Sequence, residues 1–379
     1  MWQATSREAI EAPIALLLAV LFGLAVGSFL NVVIHRVPRR LSLVRPGSHC
    51  PRCGAPLRWR DNIPLLSFLL LKGRCRACRQ PISWVYPAVE VGTALVFALL
   101  VWERGWGWTV LPDAVFVSLL IALAVIDARH RLLPDALTYP GFVLAVGLRA
   151  LVPTGGGTHE VIFRSEPARF LLEHALGAGA ALILGSCAVL VLLERVDYRL
   201  LGRKLAEPET SPAETTSLPE ARAAVASDPY EKAAGGRSGD GGDRETWSPE
   251  WAALLLAIGL TGVFIALGRS DARLAASGLR SALGAFVGAV VGSGILWLSR
   301  LGYYALRRLE GVGFGDVKMM LLVGAFLGWG GAFATIFLAS VLGSIYGVTL
   351  MLLTRERNPT LPFGSFLSLA ALVVLLVFR

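Results

Sequence analysis

Gly311-Val312-Gly313-Phe314-Gly315-Asp316-Val317-Lys318 opens an apolar run that continues with little interruption to Leu353. A carboxylate therefore stands where a glycine-rich turn gives way to a stretch long enough to cross a bilayer. Glycine permits backbone conformations closed to other residues and lets another chain approach closely. An Asp at a helix start caps free N–H groups and gains from the positive end of the dipole. Taken alone, these residues are a loop with a capped helix. A second carboxylate, Asp127, closes another apolar run, and two acids at helix ends on one membrane face suggest an aspartyl pair.

The bulk numbers give the class. Hydrophobic residues make up 55% of the chain and charged residues 17%, with a mean hydropathy of +0.62. A soluble globular chain carries about 25% charged residues. Several apolar stretches reach the roughly 20 residues a helix needs to span a bilayer. The first is long, starts without a basic cluster and is followed by no small-residue cleavage site, so it reads as a span and not a signal peptide. The net charge of +9 then belongs to loops on the cytoplasmic side rather than to a nucleic-acid surface.

Spans are expected at about Pro13 to Ile34, Ser83 to Trp102, Thr109 to Ile126, Leu137 to Val152, Phe170 to Leu193, Trp251 to Leu267 and Ala276 to Leu298. Two closely linked helices follow, about Val317 to Trp329 and Ala332 to Leu353, and a last span begins at Leu361. The total is about ten. The loop from His35 to Ser83 holds eleven Lys or Arg and one acidic residue, Asp61. The positive-inside rule places it in the cytoplasm and the N-terminus outside. Residues 195–249, rich in Ala, Pro, Ser, Gly and Glu, have too little apolar content to build a core and read as a disordered cytoplasmic insert.

Within the basic loop lie Cys50-Pro-Arg-Cys53 and Cys75-Arg-Ala-Cys78, separated by twenty-one residues. Four thiolates at such spacing close a tetrahedral zinc site, which holds together a small loop that cannot fold alone. A redox dithiol is the competing reading, although one CxxC would serve that purpose. Tethering at both ends to membrane argues against nucleic acid as a partner.

Three polar residues sit oddly. Asn31 interrupts the first apolar run, either as a site residue or as interhelical glue beside a Gly23–Gly27 contact. Glu90 lies a turn or two into a span, as a site residue or the partner of a nearby Arg. Asp135 follows Pro134 and reads as an N-cap. If the helices of Asp127 and Asp316 are neighbours, the two carboxylates share one proton, since like charges so close do not both ionise. The ionised member then takes a proton from water attacking a peptide carbonyl while the other protonates the oxyanion. Simple helix caps, or ion sites in a transporter, are the alternatives. Transporter carboxylates usually lie nearer the midplane.

Taken in order, Gly27-Ser28-Phe29-Leu30-Asn31-Val32, the two CxxC pairs, Tyr86-Pro87 with Glu90, Asp127 with Leu133-Pro134-Asp135, Gly313-Phe314-Gly315-Asp316 with Lys318, and Leu361-Pro362-Phe363-Gly364 resemble the bifunctional type IV prepilin peptidases. These are membrane aspartyl proteases of the GxGD class. The resemblance implies removal of the leader from prepilins or pseudopilins, for type IV pili or type II secretion, at the cytoplasmic face of the bacterial inner membrane. It also implies N-methylation of the new terminus from S-adenosylmethionine. Asp127 and Asp316 match the catalytic aspartates, with Gly313, Gly315, Lys318 and Asp135 in support, and no metal enters the peptidase step. Cys50, Cys53, Cys75 and Cys78 match a structural zinc motif; Asn31 and Glu90 become methyltransferase candidates. The expected fold is an all-α polytopic membrane protein, eight helices of the family and two extra. It divides into a first helix (1–34), the zinc loop (35–83), spans with the first Asp (84–194), the insert (195–249) and spans with the GxGD motif (250–379).

Overall fold

Apolar runs with basic ends become helices, and no sheet forms among the described residues. The computed structural model describes residues 6–152, 175–197, 249–270, 272–308, 311–354 and 361–377. The helices are α1 (Ser6–Arg36), a short α2 (Leu66–Leu70), α3 (Val85–Arg104), α4 (Leu111–His130) and α5 (Asp135–Leu151). They continue with α6 (Ala175–Asp197), α7 (Pro249–Ser270), α8 (Ala272–Arg307), α9 (Phe314–Thr354) and α10 (Phe363–Val377). Among the described residues six helices are long and apolar enough to cross a membrane, and α6 and α10 contain shorter apolar stretches. From 198 to 248 the expected disordered insert lies outside the described residues.

The helix that begins with the glycine-rich turn is the centre of the bundle. From Val317 to Phe326 almost every side chain of α9 is buried, on all faces, which marks a helix enclosed by others. At Gly328 the backbone leaves helical geometry (φ 74°, ψ 178°), a conformation that glycine alone adopts without strain. Beyond that break Tyr346 packs its ring 5.4 Å from Phe366 near the start of α10, so the chain has turned back. The two closely linked helices expected from the sequence are therefore present, and their outer half turns Phe333, Phe337, Ile345 and Leu352 away from the bundle.

Small residues set the close approaches. A Cβ on Gly23 would lie 2.6 Å from Ala94 Cα, and one on Gly27 would lie 2.6 Å from Glu90 Cα. One turn further, Asn31 Nδ2 donates to the Tyr86 carbonyl at 3.0 Å. The α1–α3 contact is thus the small-residue seam with polar glue that the sequence offered. Gly288 of α8 faces Gly324 and Gly328 of α9 so closely that a Cβ on Gly288 or Gly324 would strike the other's backbone.

Candidate active site

Three helix ends converge on Asp127. The sequence expectation ended this helix at Ile126, but α4 runs to His130 and Arg131 caps it in the left-handed region, its N–H bonding the Asp127 carbonyl at 2.8 Å. Asp127 is consequently held inside the last turn, 5% exposed. The start of α10 meets it: Ser365 N donates to Asp127 Oδ2 at 2.7 Å. The Ser365 hydroxyl lies 2.9 Å from the same oxygen and 3.0 Å from the Ala124 carbonyl, and its single proton serves one of them.

The third end is the start of α9. Asp316 is its third residue, not its N-cap, and its carboxylate accepts from the Gly313 N–H, the place of the acid in a capping box. Asp127 and Asp316 lie within Coulombic reach of each other. Two helix N-termini, those of α9 and α10, thus point their free N–H groups at one pair of acids, where negative charge is favourably held. Leu133 wedges between, 3.2 Å from where a Cβ on Gly315 would stand and 3.0 Å from one on Gly364. None of Gly311, Gly313 and Gly315 has positive φ. Close approach, not an unusual backbone, is what Gly315 provides here.

Lys318 and Asp135 stand beside the pair but are committed to each other. Lys318 Nζ is 2.9 Å from Asp135 Oδ1 and 4.8 Å from the ring centres of both Tyr139 and Phe314. Asp135 is not an N-cap: Pro134 holds that position, and the carboxylate instead ties the start of α5 to that of α9. Ser365 was absent from the sequence expectation. Its signal was available as a hydroxyl directly after Leu361-Pro362-Phe363-Gly364, at the opening of a helix.

The glycines give a test of the geometry. A Cβ on Gly364 would sit 3.1 Å from both Cγ and Oδ2 of Asp127, whereas one on Gly313 would meet Asp316 Oδ2 at an ordinary 3.4 Å. Gly364→Ala is expected to displace Asp127 and, if the two acids cleave peptides as the resemblance implies, to lower cleavage by about 100-fold. Gly313→Ala leaves the acids in place; if substrate backbone passes there, KM rises. Steady-state kinetics on both variants separates the two effects.

The cysteine loop is built from two turns of one design. Cys50 N bonds Ala55 O and Cys75 N bonds Gln80 O, both at 2.9 Å. All four sulfurs lie within 4.8 Å of one another, with Cys50 and Cys78 Sγ 4.0 Å apart. Zinc–thiolate bonds of about 2.3 Å in a tetrahedron place sulfurs about 3.8 Å apart, so the set fits one metal ion. Backbone N–H groups of Cys78 and then Ala77 bring the Cys75 thiol down to about 7, against burial. Asp61 clasps Arg76 with contacts of 2.6 to 3.1 Å, and that guanidinium holds its carboxyl below the usual range. Arg36, expected as a loop charge, is buried: it donates to the carbonyls of Ser42, Leu43, Pro46 and Gly47 and shapes the loop's first bend.

Between this loop and the ends of α1 and α3 lies a cavity of about 860 Å³, bordered by Ser28, Asn31, Phe68, Tyr86 and Glu90 among others. Glu90 is 8% exposed, and among the described residues no Arg pairs with it. Its Oε2 accepts from Leu65 N at 2.7 Å, and Ser28 bonds its carboxyl. Leu65 itself has φ 59°, a costly backbone for leucine that this bond helps to hold. The structure thus separates the sequence candidates into two groups. Asn31, Glu90, Cys50 and Cys75 line the cavity; Asp127, Asp316, Asp135 and Lys318 gather at the three helix ends, and none of these four lines it.

Residues 21–104 match the bacterial peptidase A24 N-terminal domain, and residues 114–202 and 251–348 match the type IV leader peptidase family. Both segments of the second match run through helices that flank the insert, α6 and α7. A prepilin leader peptidase/N-methyltransferase of Myxococcus xanthus is 50% identical over 136 residues, 36% of this chain and 41% of that protein. One of Klebsiella pneumoniae is 51% identical over 126 residues, 32% of this chain and 55% of that protein. The chain therefore spans about half the length of these relatives. A third, of Aeromonas salmonicida, is 27% identical over 385 residues, 95% of this chain and 89% of its own. No solved structure is significantly similar to the chain. With both family matches in chain order and each containing one of the two residue groups or its acids, the chain belongs to the type IV leader peptidase family.

Proposed function

We propose that this protein is a membrane aspartyl endopeptidase that removes the leader of prepilins or pseudopilins and then methylates the exposed N-terminus. The observation that carries the reading is that Leu133 packs against both Gly315, next to Asp316, and Gly364, which lies against Asp127, so that helices far apart in sequence bring the two acids to one junction of three helix ends. One acid is ionised and the other protonated. The ionised carboxylate takes a proton from water as its oxygen attacks the peptide carbonyl; the protonated one gives its proton to the carbonyl oxygen. Collapse of the tetrahedral species returns a proton to the leaving amine. Ser365 holds Asp127 still through this exchange, and Lys318 with Asp135 fixes the spacing of α5 and α9.

Methyl transfer is assigned to the cavity. Its volume suits a drug-sized or nucleoside ligand, with the rings of Phe68 and Tyr86 and the carboxyl of Glu90 on its wall. Bound there, S-adenosylmethionine would supply an electrophilic methyl group. Asp61 and Glu90 are the acids among the lining residues, and Asp61 is committed to Arg76. Glu90, the carboxylate there that no arginine holds among the described residues, is assigned to accept the proton an attacking amine loses, ahead of His35 and His49, which also border the cavity. Zinc, held by the four cysteines, is structural and keeps the cavity's outer wall folded.

We further infer ten membrane crossings, with α9 counted twice because of its return at Gly328. On this topology the cysteine loop, the acids and both ends of the insert share the cytoplasmic side of a bacterial inner membrane, and the N-terminus lies outside. The excess of Lys and Arg in the loop favours that orientation.

Purified protein in lipid vesicles, given a prepilin and S-adenosylmethionine, is expected to yield a shortened product with a methylated N-terminus by mass spectrometry. An uncut prepilin would sink the reading. Glu90→Gln is expected to lower methylation by about 100-fold and to leave cleavage within a few-fold of wild type. Unchanged methylation would remove Glu90 from the site.

A further inference from the structure

Charges inside apolar helices are expensive and need partners, and one cluster of them lies outside both groups described above. Asp113 of α4 and Arg149 of α5 are wholly buried at the end of the bundle remote from the cysteine loop. Arg104 of α3 pairs with Asp113 Oδ2, and Arg149 Nη2 stands 3.8 Å from Asp113 Oδ1. Each arginine also caps a carbonyl. Arg149 donates to Phe326 O, just before the break at Gly328, and Arg104 donates to Leu375 O in the last turn of α10 at 2.9 Å. Such carbonyls lack helical partners or lie at the negative end of a dipole, where a guanidinium is well placed.

The connection to the acids is geometric. Phe116 of α4 stacks on Phe326 of α9, ring centres 4.6 Å apart and 23° between planes. From Phe116 to Asp127 is eleven residues of unbroken helix; from Phe326 to Asp316 is ten. At 1.5 Å per residue the arms are about 16.5 and 15 Å long. The two helices that carry the acids are thus pinned to each other in register at their far ends. From α5, Arg149 reaches both, through Asp113 on one and the Phe326 carbonyl on the other.

We propose that Arg149 is a positioning residue for the aspartate pair, fixing the axial register of α9 against α4 from the opposite end of the bundle. The proposal rests on the peptidase reading above. If α9 slides, Asp316 moves with it, because the helix between Asp316 and Phe326 is unbroken and Gly324 within it is held against Gly288. A displacement on the scale of an ångström lowers the chemical step strongly and leaves substrate affinity alone.

The test uses the full chain in vesicles, wild type beside Arg149→Met and Arg149→Lys, with cleavage kinetics on a prepilin and methyl transfer to an already cleaved peptide. The expected result for Arg149→Met is a fall in cleavage kcat of about 10- to 100-fold, KM within twofold, and methyl transfer unchanged. Arg149→Lys, which keeps the charge beside Asp113, recovers part of kcat. Unchanged kcat, a change confined to KM, or a parallel loss of both activities would each overturn the proposal. Should Arg149→Met fail to accumulate, the Lys variant carries the same readouts: a kcat-only loss upholds the proposal and any other pattern overturns it. Wild type that does not cleave would instead refute the peptidase reading, so the two failures are distinguishable.

Discussion

Asp127→Asn and Asp316→Asn are each expected to lower leader cleavage by about 1,000-fold or more, while methyl transfer to a pre-cleaved peptide stays at the wild-type rate. The size follows from loss of general acid–base catalysis at the reacting bond. Asn is nearly isosteric with Asp, so an amide oxygen at position 127 would still accept the Ser365 N–H that fixes the side chain, and the bundle would stay assembled. What the amide lacks is the ability to exchange a proton with water or a peptide oxygen. Cleavage of a labelled prepilin in membranes, with insertion checked for each variant, makes the measurement. If either Asn variant cleaves normally, that carboxylate is a helix cap and the peptidase reading fails at its centre.

The second large effect concerns the cysteines. Cys50→Ser and Cys75→Ser, at the two buried positions of the four, are expected to empty the metal site and lower methyl transfer by more than about 100-fold. A structural zinc contributes about 10 to 16 kcal/mol to the folding of a small loop. This loop has little else: short turns, the Asp61–Arg76 clasp and the Arg36 bonds. Cleavage is expected to fall less than tenfold, since Asp127 is held by Ser365 and Asp316 by the start of α9, neither of which belongs to the loop. Metal content by elemental analysis and the two rates report together. Retention of metal with three cysteines and full methylation would show that the fourth ligand is dispensable.

Much of this was legible in the residues, for physical reasons. Apolar runs ending in Arg specify helices and their ends, and α3, α5 and the return at Gly328 fall within a few residues of expectation. Two CxxC pairs within one short loop announce a shared site because chain length alone brings them near. The rest depended on contacts between distant residues. Ser365 meets Asp127 across 238 positions, Lys318 meets Asp135 across 183, and Arg149 meets the Phe326 carbonyl across 177. Arg104, Asp113 and Arg149 each lie near the end of an apolar run, where snorkelling is the ordinary explanation of a charge, so nothing in the sequence announces their pairing. Arg36 misled in the same way: its place in a basic loop gave no hint that four carbonyls surround it.

The separation of the cavity from the acid pair has a kinetic meaning. On the assignment proposed above, a terminus freed at the three helix ends is not yet where a methyl group can reach it; it has to travel to the cavity at the ends of α1 and α3, or leave. Processing then becomes a race between transfer within one encounter and escape into the bilayer. A substrate whose apolar segment dwells in the membrane beside the enzyme emerges fully modified, and one that departs quickly emerges cut but bare. The ratio of the two products belongs to the substrate's residence as much as to either catalytic step.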